Sequence, residues 1–120
     1  MSTITLDALA FNGDGYINPG VSQWTERSAG VIAGFSTLRA SAKLDQKFRP
    51  KWDLHVPVIA TSDSSCACTG AVLRVGDATI SVRMDPSYTL AERTNLADMI
   101  KDLTASTQFR DSLINMILPT

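Results

Sequence analysis

Strict alternation of polar and apolar residues runs through the stretch Asp77-Ala-Thr-Ile-Ser-Val-Arg-Met-Asp85. A period of two residues is typical of a β-strand with one apolar and one polar face. The apolar face would carry Ala78, Ile80, Val82 and Met84. Pro86 follows directly and cannot donate a backbone hydrogen bond, so we expect a strand that ends at Asp85.

Two helices are expected to follow this strand, within residues 89–118. Thr89-Leu-Ala-Glu92 matches a capping box, in which a threonine hydroxyl and a glutamate carboxylate accept the first free amides of a helix. Four apolar residues then recur at spacings of three and four, which places them on one stripe: Leu96, Met99, Ile100 and Leu103. Ser106-Thr107 begins a shorter helix that Pro119 ends, with an apolar face of Phe109, Leu113, Met116 and Ile117.

Further alternations precede this region, clear over residues 36–44 and 51–58 and weaker before them. They predict an edge strand over residues 3–9 and strands over 21–27, 36–44 and 51–58. Pro57 marks a strand end or an edge, because it cannot donate to a ladder. Breaks are expected at Asn18-Pro-Gly20 and in the polar loop over residues 61–70, while the conformation of residues 29–35 stays open.

The segment Phe11-Asn-Gly-Asp-Gly15 has the composition of a tight hairpin turn, because glycine and asparagine supply positive φ angles. The same segment imitates the middle of a calcium-binding EF-hand loop. Its first and last ligand positions would be Ala10 and Val21, which cannot coordinate calcium. We therefore interpret the segment as a hairpin turn.

Composition excludes several classes of protein. The 120 residues, 44% of them hydrophobic, are enough for one core, so we expect a single domain over residues 1–120. A formal net charge of −1 predicts neither nucleic-acid nor membrane binding from bulk charge. No apolar run approaches the roughly 18 residues that span a bilayer. The N-terminus lacks a basic segment before an apolar one, so we expect an intracellular protein without a membrane partner.

The sequence gives little support for a catalytic site or a metal site. Asp53 and His55 share a strand face, but no nucleophile, second base or glycine-rich turn accompanies them. Cys66 and Cys68 lie one residue apart, which makes a mutual disulfide strained and supplies only two zinc ligands. We expect no enzymatic activity, no metal and no cofactor.

The predicted elements leave an apolar surface uncovered. A sheet of at least five strands is at least ~24 Å wide, and each of the two helices is only about 10 Å across. Four residues, 85–88, connect strand and helix, which leaves little chain for folding back. A partner that supplies helices would cover the apolar face of the sheet.

The polar faces of the predicted strands carry the clearest candidate site. Residues 39–51 include five basic residues and one acidic residue, a local charge of +4. Basic groups interleaved with hydroxyls suit phosphate contacts and hydrogen bonds to bases. The alternative is an ordinary solvated sheet face, and spacing alone favours that alternative.

Three blocks together resemble the coat proteins of small single-stranded RNA bacteriophages, the levivirus type. They are Val21-Ser-Gln-Trp24, Lys51–Val58, and the closing strand with the helix that starts at Thr89-Leu-Ala-Glu-Arg93. The resemblance implies an α+β fold: an N-terminal β-hairpin (residues 1–20), a five-stranded antiparallel sheet (21–85, with a long loop at about 61–75) and two C-terminal helices (89–118).

The same resemblance implies an intertwined homodimer with a continuous ten-stranded sheet, in which the helices of one protomer lie across the sheet of the other. Its dimer interface would include Leu96, Met99, Ile100, Leu103, Phe109 and Leu113. Dimers would build an icosahedral shell around genomic single-stranded RNA, in the virion and assembled in the bacterial cytoplasm. A phage maturation protein is a further implied partner.

Carried over by position, the RNA-facing residues of that family fall on Val21, Arg39, Ser41, Lys43, Asp53, His55, Thr79 and Ser81, with Arg83 next along. In the family this face also binds an RNA hairpin and represses translation. Asp53 stands where the family has a neutral hydroxyl, and His55 stands where it has a lysine. Disulfides between subunits in some members give Cys66 and Cys68 a role in the shell. The alternative from another class is a cellular dimeric α+β domain that binds RNA or protein without forming shells.

Overall fold

The computed structural model describes residues 2–60 and 70–118. The chain divides into two compact units, Met1–Asp85 and Pro86–Thr120. In the described residues the first unit consists of six β-strands and one 3-10 turn, and the second unit consists of two α-helices. A sheet followed by helices confirms the α+β class.

The six strands form one antiparallel sheet in which neighbours in sequence are neighbours in space. The strands are β1 (Ile4–Leu6), β2 (Leu9–Asn18), β3 (Val21–Glu26), β4 (Ser36–Leu44), β5 (Phe48–Ile59) and β6 (Val72–Ser81). Antiparallel neighbours need no crossover connection, so the strands follow one another across the sheet. β1 and β6 therefore form the two edges of the sheet.

The N-terminal hairpin exists, but its predicted turn was wrong. Phe11–Gly15 lies inside β2, and the turn falls at Asp7 and Ala8, whose φ angles are 50° and 62°. Gly13 and Gly15 instead flank a β-bulge, where the register with β3 shifts. β2 pairs with β3, so the hairpin belongs to the sheet. Residues 21–85 thus contribute four strands, β3–β6, and β2 supplies the fifth.

β6 begins and ends earlier than the alternation predicts. It starts at Val72, so residues 72–75 belong to a strand and not to the predicted loop, and it ends at Ser81. Val82 donates to the carbonyl of Pro50 at 3.1 Å, but proline has no N–H to return the bond. The ladder breaks at that pair and resumes only as an isolated bridge between Phe48 and Met84.

The region left open by the sequence, residues 29–35, contains a 3-10 turn at Ile32–Gly34. Gly34 is buried, and a Cβ there would lie 2.9 Å from the Ala29 Cβ and 3.0 Å from the Ile59 side chain. Only glycine permits this close approach.

The second unit contains α1 (Leu90–Ala105) and α2 (Thr107–Ile114). The predicted capping box is confirmed, with Thr89 and Glu92 exchanging both hydrogen bonds. Ser106 caps α2 by accepting from the Phe109 amide. α2 ends at Ile114, well before Pro119, which lies outside the described residues. Met116, predicted on the helix, has a φ of 51°, which a right-handed helix cannot continue.

The apolar face of the sheet is only partly covered. Trp24 and Trp52 stack there at a centroid distance of 5.5 Å. On β4, Leu38 pairs with Trp24 and Ala40 pairs with Trp52. Leu38 is 7% exposed, but Trp52 is 38% exposed and Ile80 is 45% exposed. The described residues of α1 and α2 include no buried residue. Neither helix has the length and apolar content needed to cross a membrane.

Candidate nucleic-acid interface

The strand register gathers the predicted RNA-facing residues on one side of the sheet, called here the polar face. Residues paired directly across antiparallel strands point to the same face. One cross-strand row contains Val21, Ser41, Lys51 and Ser81. The next contains Gln23, Arg39, Asp53 and Thr79, and the third contains Thr25, Thr37, His55 and Asp77.

Eight of the nine predicted residues lie on this face: Val21, Arg39, Ser41, Lys43, Asp53, His55, Thr79 and Ser81. Lys43 pairs with Arg49 near the β4–β5 turn. Arg83 differs from the others, because β6 ends at Ser81 and no strand register holds Arg83 on the face. The structure thus assembles the set except at its last member.

A groove of about 490 Å³ lies along the centre of the polar face. It is lined by Thr37, Arg39, Asp53, Leu54, His55, Asp77, Ala78 and Thr79. The Nδ1 atom of His55 lies 2.7 Å from the Asp77 carboxylate. Thr79 donates its hydroxyl to Asp53 at 2.7 Å, so Asp53 and His55 are held by β6 and do not pair with each other.

Charge is distributed unevenly along the polar face. Three cations lie toward the β4–β5 turn: Lys43, Arg49 and Lys51. Two carboxylates lie close to these cations, since Asp45 is 3.9 Å from Arg49 and Asp53 is 3.7 Å from Lys51. At the other end, Asp77 pairs with His55 and Asp14 lies beside Thr25. A polyanion would be attracted to the end with the cations, because clustered charges of one sign raise the local potential.

A hydrogen-bonded network around Asp14 borders the groove. Gln23 donates to the Asp14 carboxylate at 3.0 Å, the Thr25 hydroxyl donates to it as well, and Arg27 contacts it at 2.9 Å. Burial alone would raise the pKa of Asp14, but the hydrogen bonds from Thr25 and Gln23 and the charge of Arg27 outweigh it. The pKa of Asp14 is therefore lowered, and the group stays ionised at neutral pH.

Sequence reasoning did not assign Asp14, Gln23 or Asp77 to this site. The alternation in β3 places Gln23 on the same face as Val21, so its position was available. Asp14 was not assigned to the site because its segment was interpreted as a hairpin turn. Asp77 was on the polar side of the opening stretch, but its contact with His55 depends on the β5–β6 register.

The residues expected at a dimer interface lie on the two helices. Leu96, Met99, Ile100 and Leu103 lie on α1, and Phe109 and Leu113 lie on α2. Met99, Leu103 and Leu113 are exposed, with 60% exposure at Leu103. Cys66 and Cys68 fall outside the described residues.

Comparison with solved structures shows where else this fold occurs. A virus-like particle of bacteriophage ESE058 matches with a TM-score of 0.86 at 14% identity, over 100% of this chain and 99% of that chain. A virus-like particle of Beihai levi-like virus 21 gives a TM-score of 0.88 at 16% identity, over 100% and 98%. The capsid protein of bacteriophage GA gives 0.76 at 14% identity, over 90% and 84%.

Sequence comparison gives two further results. No curated protein matches the chain. The sequence profile described as "Levivirus coat protein" matches residues 4–118. Because that match spans nearly the whole length, the chain belongs to the levivirus coat protein family.

Proposed function

We propose that this protein is a capsid subunit that dimerises, assembles into an icosahedral shell and encloses single-stranded RNA against its polar face. Family membership supports the capsid role, and the similar chains come from virus-like particles and a capsid. One observation carries the proposal. The sheet has a polar face rich in hydrogen-bonding groups, while its other face and the two helices keep large apolar side chains exposed. A structural subunit needs no catalytic centre, so we propose no enzymatic activity.

The edge strand β6 supports a dimer with a continuous sheet. All ten residues of β6 are exposed, and in the described residues only β5 pairs with it. A long edge strand presents unpaired N–H and C=O groups to another chain. β6 contains no proline, so each of its residues has a backbone N–H available for pairing. Two copies joined at β6 would place β2–β6 of both protomers in ten consecutive strands, and β1 would add one further strand at each outer edge.

The helices supply the second apolar surface of the proposed dimer. Met99, Leu103 and Leu113 are exposed although they are large and apolar. Burying each such side chain against a partner is worth roughly 1.5–3 kcal/mol. We propose that the helices of one protomer cover the apolar face of the sheet of its partner.

The polar face would then remain for RNA. Arg39 and Lys43 would contact phosphates, while hydroxyls such as Thr79 would hydrogen-bond to sugars or bases. The further proposed roles are repression of translation through an RNA hairpin and contact with a phage maturation protein. Both follow from family membership and would take place in the bacterial cytoplasm, where the virion assembles.

The test of the capsid role is electron microscopy of the purified protein combined with sedimentation of dilute samples. We expect closed particles, and dimers as the smallest folded species. Leu103→Ala, at a side chain that one protomer leaves 60% exposed, should raise the dissociation constant of the dimer about tenfold or more. Lys101→Ala, two residues away on α1, is the matched control and should leave the dimer unchanged.

A folded monomer at micromolar concentration, or well-behaved dimers that never form closed particles, would contradict the proposal. The second of these outcomes would favour a cellular RNA- or protein-binding domain.

A further inference from the structure

The carboxylate of Asp14 determines how the side chain of Gln23 is oriented. Asp14 lies at the bulge of β2 and accepts a hydrogen bond from Gln23 Nε2 at 3.0 Å. An ionised carboxylate can only accept hydrogen bonds, so it selects the nitrogen end of the glutamine amide. The oxygen end of the amide is thereby directed away from Asp14.

That oxygen holds Arg39. The Nε atom of Arg39 donates to Gln23 Oε1 at 2.9 Å across the β3–β4 pair. This contact uses one N–H of the guanidinium and does not engage its terminal fork. The fork is the part that matches two phosphate oxygens at once, and arginine binds best where its plane is already fixed.

Asp14 is itself firmly anchored. The buried Thr25 hydroxyl and the Arg27 guanidinium both donate to it, and only 20% of its side chain is exposed. Arg27 also lies over the ring of Phe35, 5.5 Å from its centroid. Arg27 thus offsets the charge of Asp14. The main effect of Asp14 on Arg39 is therefore to fix its position.

We propose that Asp14 is a positioning residue for RNA binding, which acts through Gln23 to hold the Arg39 guanidinium ready for a phosphate. This inference rests on the proposed RNA-binding function of the polar face. It predicts a change in RNA affinity opposite to the change expected from charge alone. Removing a negative charge near bound phosphates strengthens binding by simple electrostatics, whereas removing a positioning residue weakens it.

The experiment measures anisotropy of a fluorescent oligouridylate with the full-length dimer over a salt series. Asp14→Asn should weaken binding about tenfold, the scale of one charge-assisted hydrogen bond. It should also lower the slope of log affinity against log salt by roughly one, as loss of a phosphate contact does. Arg39→Ala should give the same two changes, and Asp14→Asn added to Arg39→Ala should cause no further loss.

Asp7→Asn is the matched control. It also removes one carboxylate, but Asp7 lies at the β1–β2 turn and does not line the groove. We expect its affinity and its salt slope to be unchanged. Gln23→Met breaks the same link without changing charge, and it should reproduce the effect of Asp14→Asn. This second variant decides the question if Asp14→Asn does not fold.

Unchanged or tighter binding by folded Asp14→Asn, or losses that add to those of Arg39→Ala, would overturn the positioning role. If Arg39→Ala itself binds like the unmodified protein, the proposed RNA-binding function of the face fails as well. The two failures are therefore distinguishable.

Discussion

On the polar face of the sheet, Asp14, Asp53 and Asp77 each lie against a donor from a neighbouring strand, whereas on the apolar face Trp52 and Ile80 keep more than a third of their surface exposed. These three carboxylates are paired within one protomer. The apolar face gains the Trp24–Trp52 stack and little further cover. The difference teaches that the apolar face, unlike the polar face, keeps area exposed that only burial would stabilise, which is why we propose that a second chain covers it.

The largest expected effect comes from placing a charge on the apolar face. Ile80→Lys should abolish particle formation, because an unpaired buried charge is strongly unfavourable. Electron microscopy and sedimentation would detect the loss. Ser81→Lys is the control, since it introduces the same side chain one residue along β6 on the opposite face. We expect it to form particles and to bind RNA more tightly. Normal particles from Ile80→Lys would show that a second chain does not bury this face.

A smaller effect is expected from the tryptophan stack. Trp52→Ala should lower the free energy of unfolding by about 3 kcal/mol, at the lower end for such truncations because the ring is partly exposed. Urea denaturation at fixed protein concentration measures it. Trp52→Phe keeps an aromatic ring opposite Trp24 and should retain most of the stability. Equal losses from the two variants would mean that stacking on Trp24 contributes nothing.

On the polar face, single changes should affect binding and leave stability nearly intact. Lys43→Ala should weaken RNA binding severalfold and lower the salt slope by roughly one. Filter binding over a salt series measures both. Lys101→Ala removes the same charge from α1 and should leave the slope unaltered. A slope that does not respond to Lys43→Ala would mean that this end of the polar face is merely solvated.

The smallest expected effect concerns acid stability. The pKa of Asp14 is lowered on folding, so its ionised form stabilises the fold at every pH above the ordinary aspartate pKa of about 4. That contribution is lost as the pH falls through the lowered pKa. The stability difference between the unmodified protein and Asp14→Asn should be constant near neutral pH and shrink below about pH 4. A difference that persists unchanged in acid would contradict the role of ionised Asp14.

Much of this division between faces could be predicted from the sequence. Alternation located β3, β4 and β5 and assigned their faces, because a half-buried strand imposes a period of two. The capping box located the start of α1, because its two hydrogen bonds depend on residues only three positions apart. These signals are local, and the structure agrees with them.

Errors arose where a distant residue decides the outcome. The alternation through Val82 and Met84 looked like strand, but Pro50 on the neighbouring strand interrupts the ladder. Gly13 and Gly15 are as compatible with a bulge as with a turn, and only pairing with β3 distinguishes the two. The link from Asp14 to Arg39 depends on three strands at once, so no local pattern indicates it.

The stacked pair on the apolar face has an optical consequence. The chain contains two tryptophans, and both belong to this stack. Ultraviolet emission excited at the indole band therefore comes from this one surface, and coupling between the two rings should add a signature in near-ultraviolet circular dichroism. Tryptophan fluorescence therefore reports solvent contact at the apolar face, so assembly can be followed in real time without an added dye.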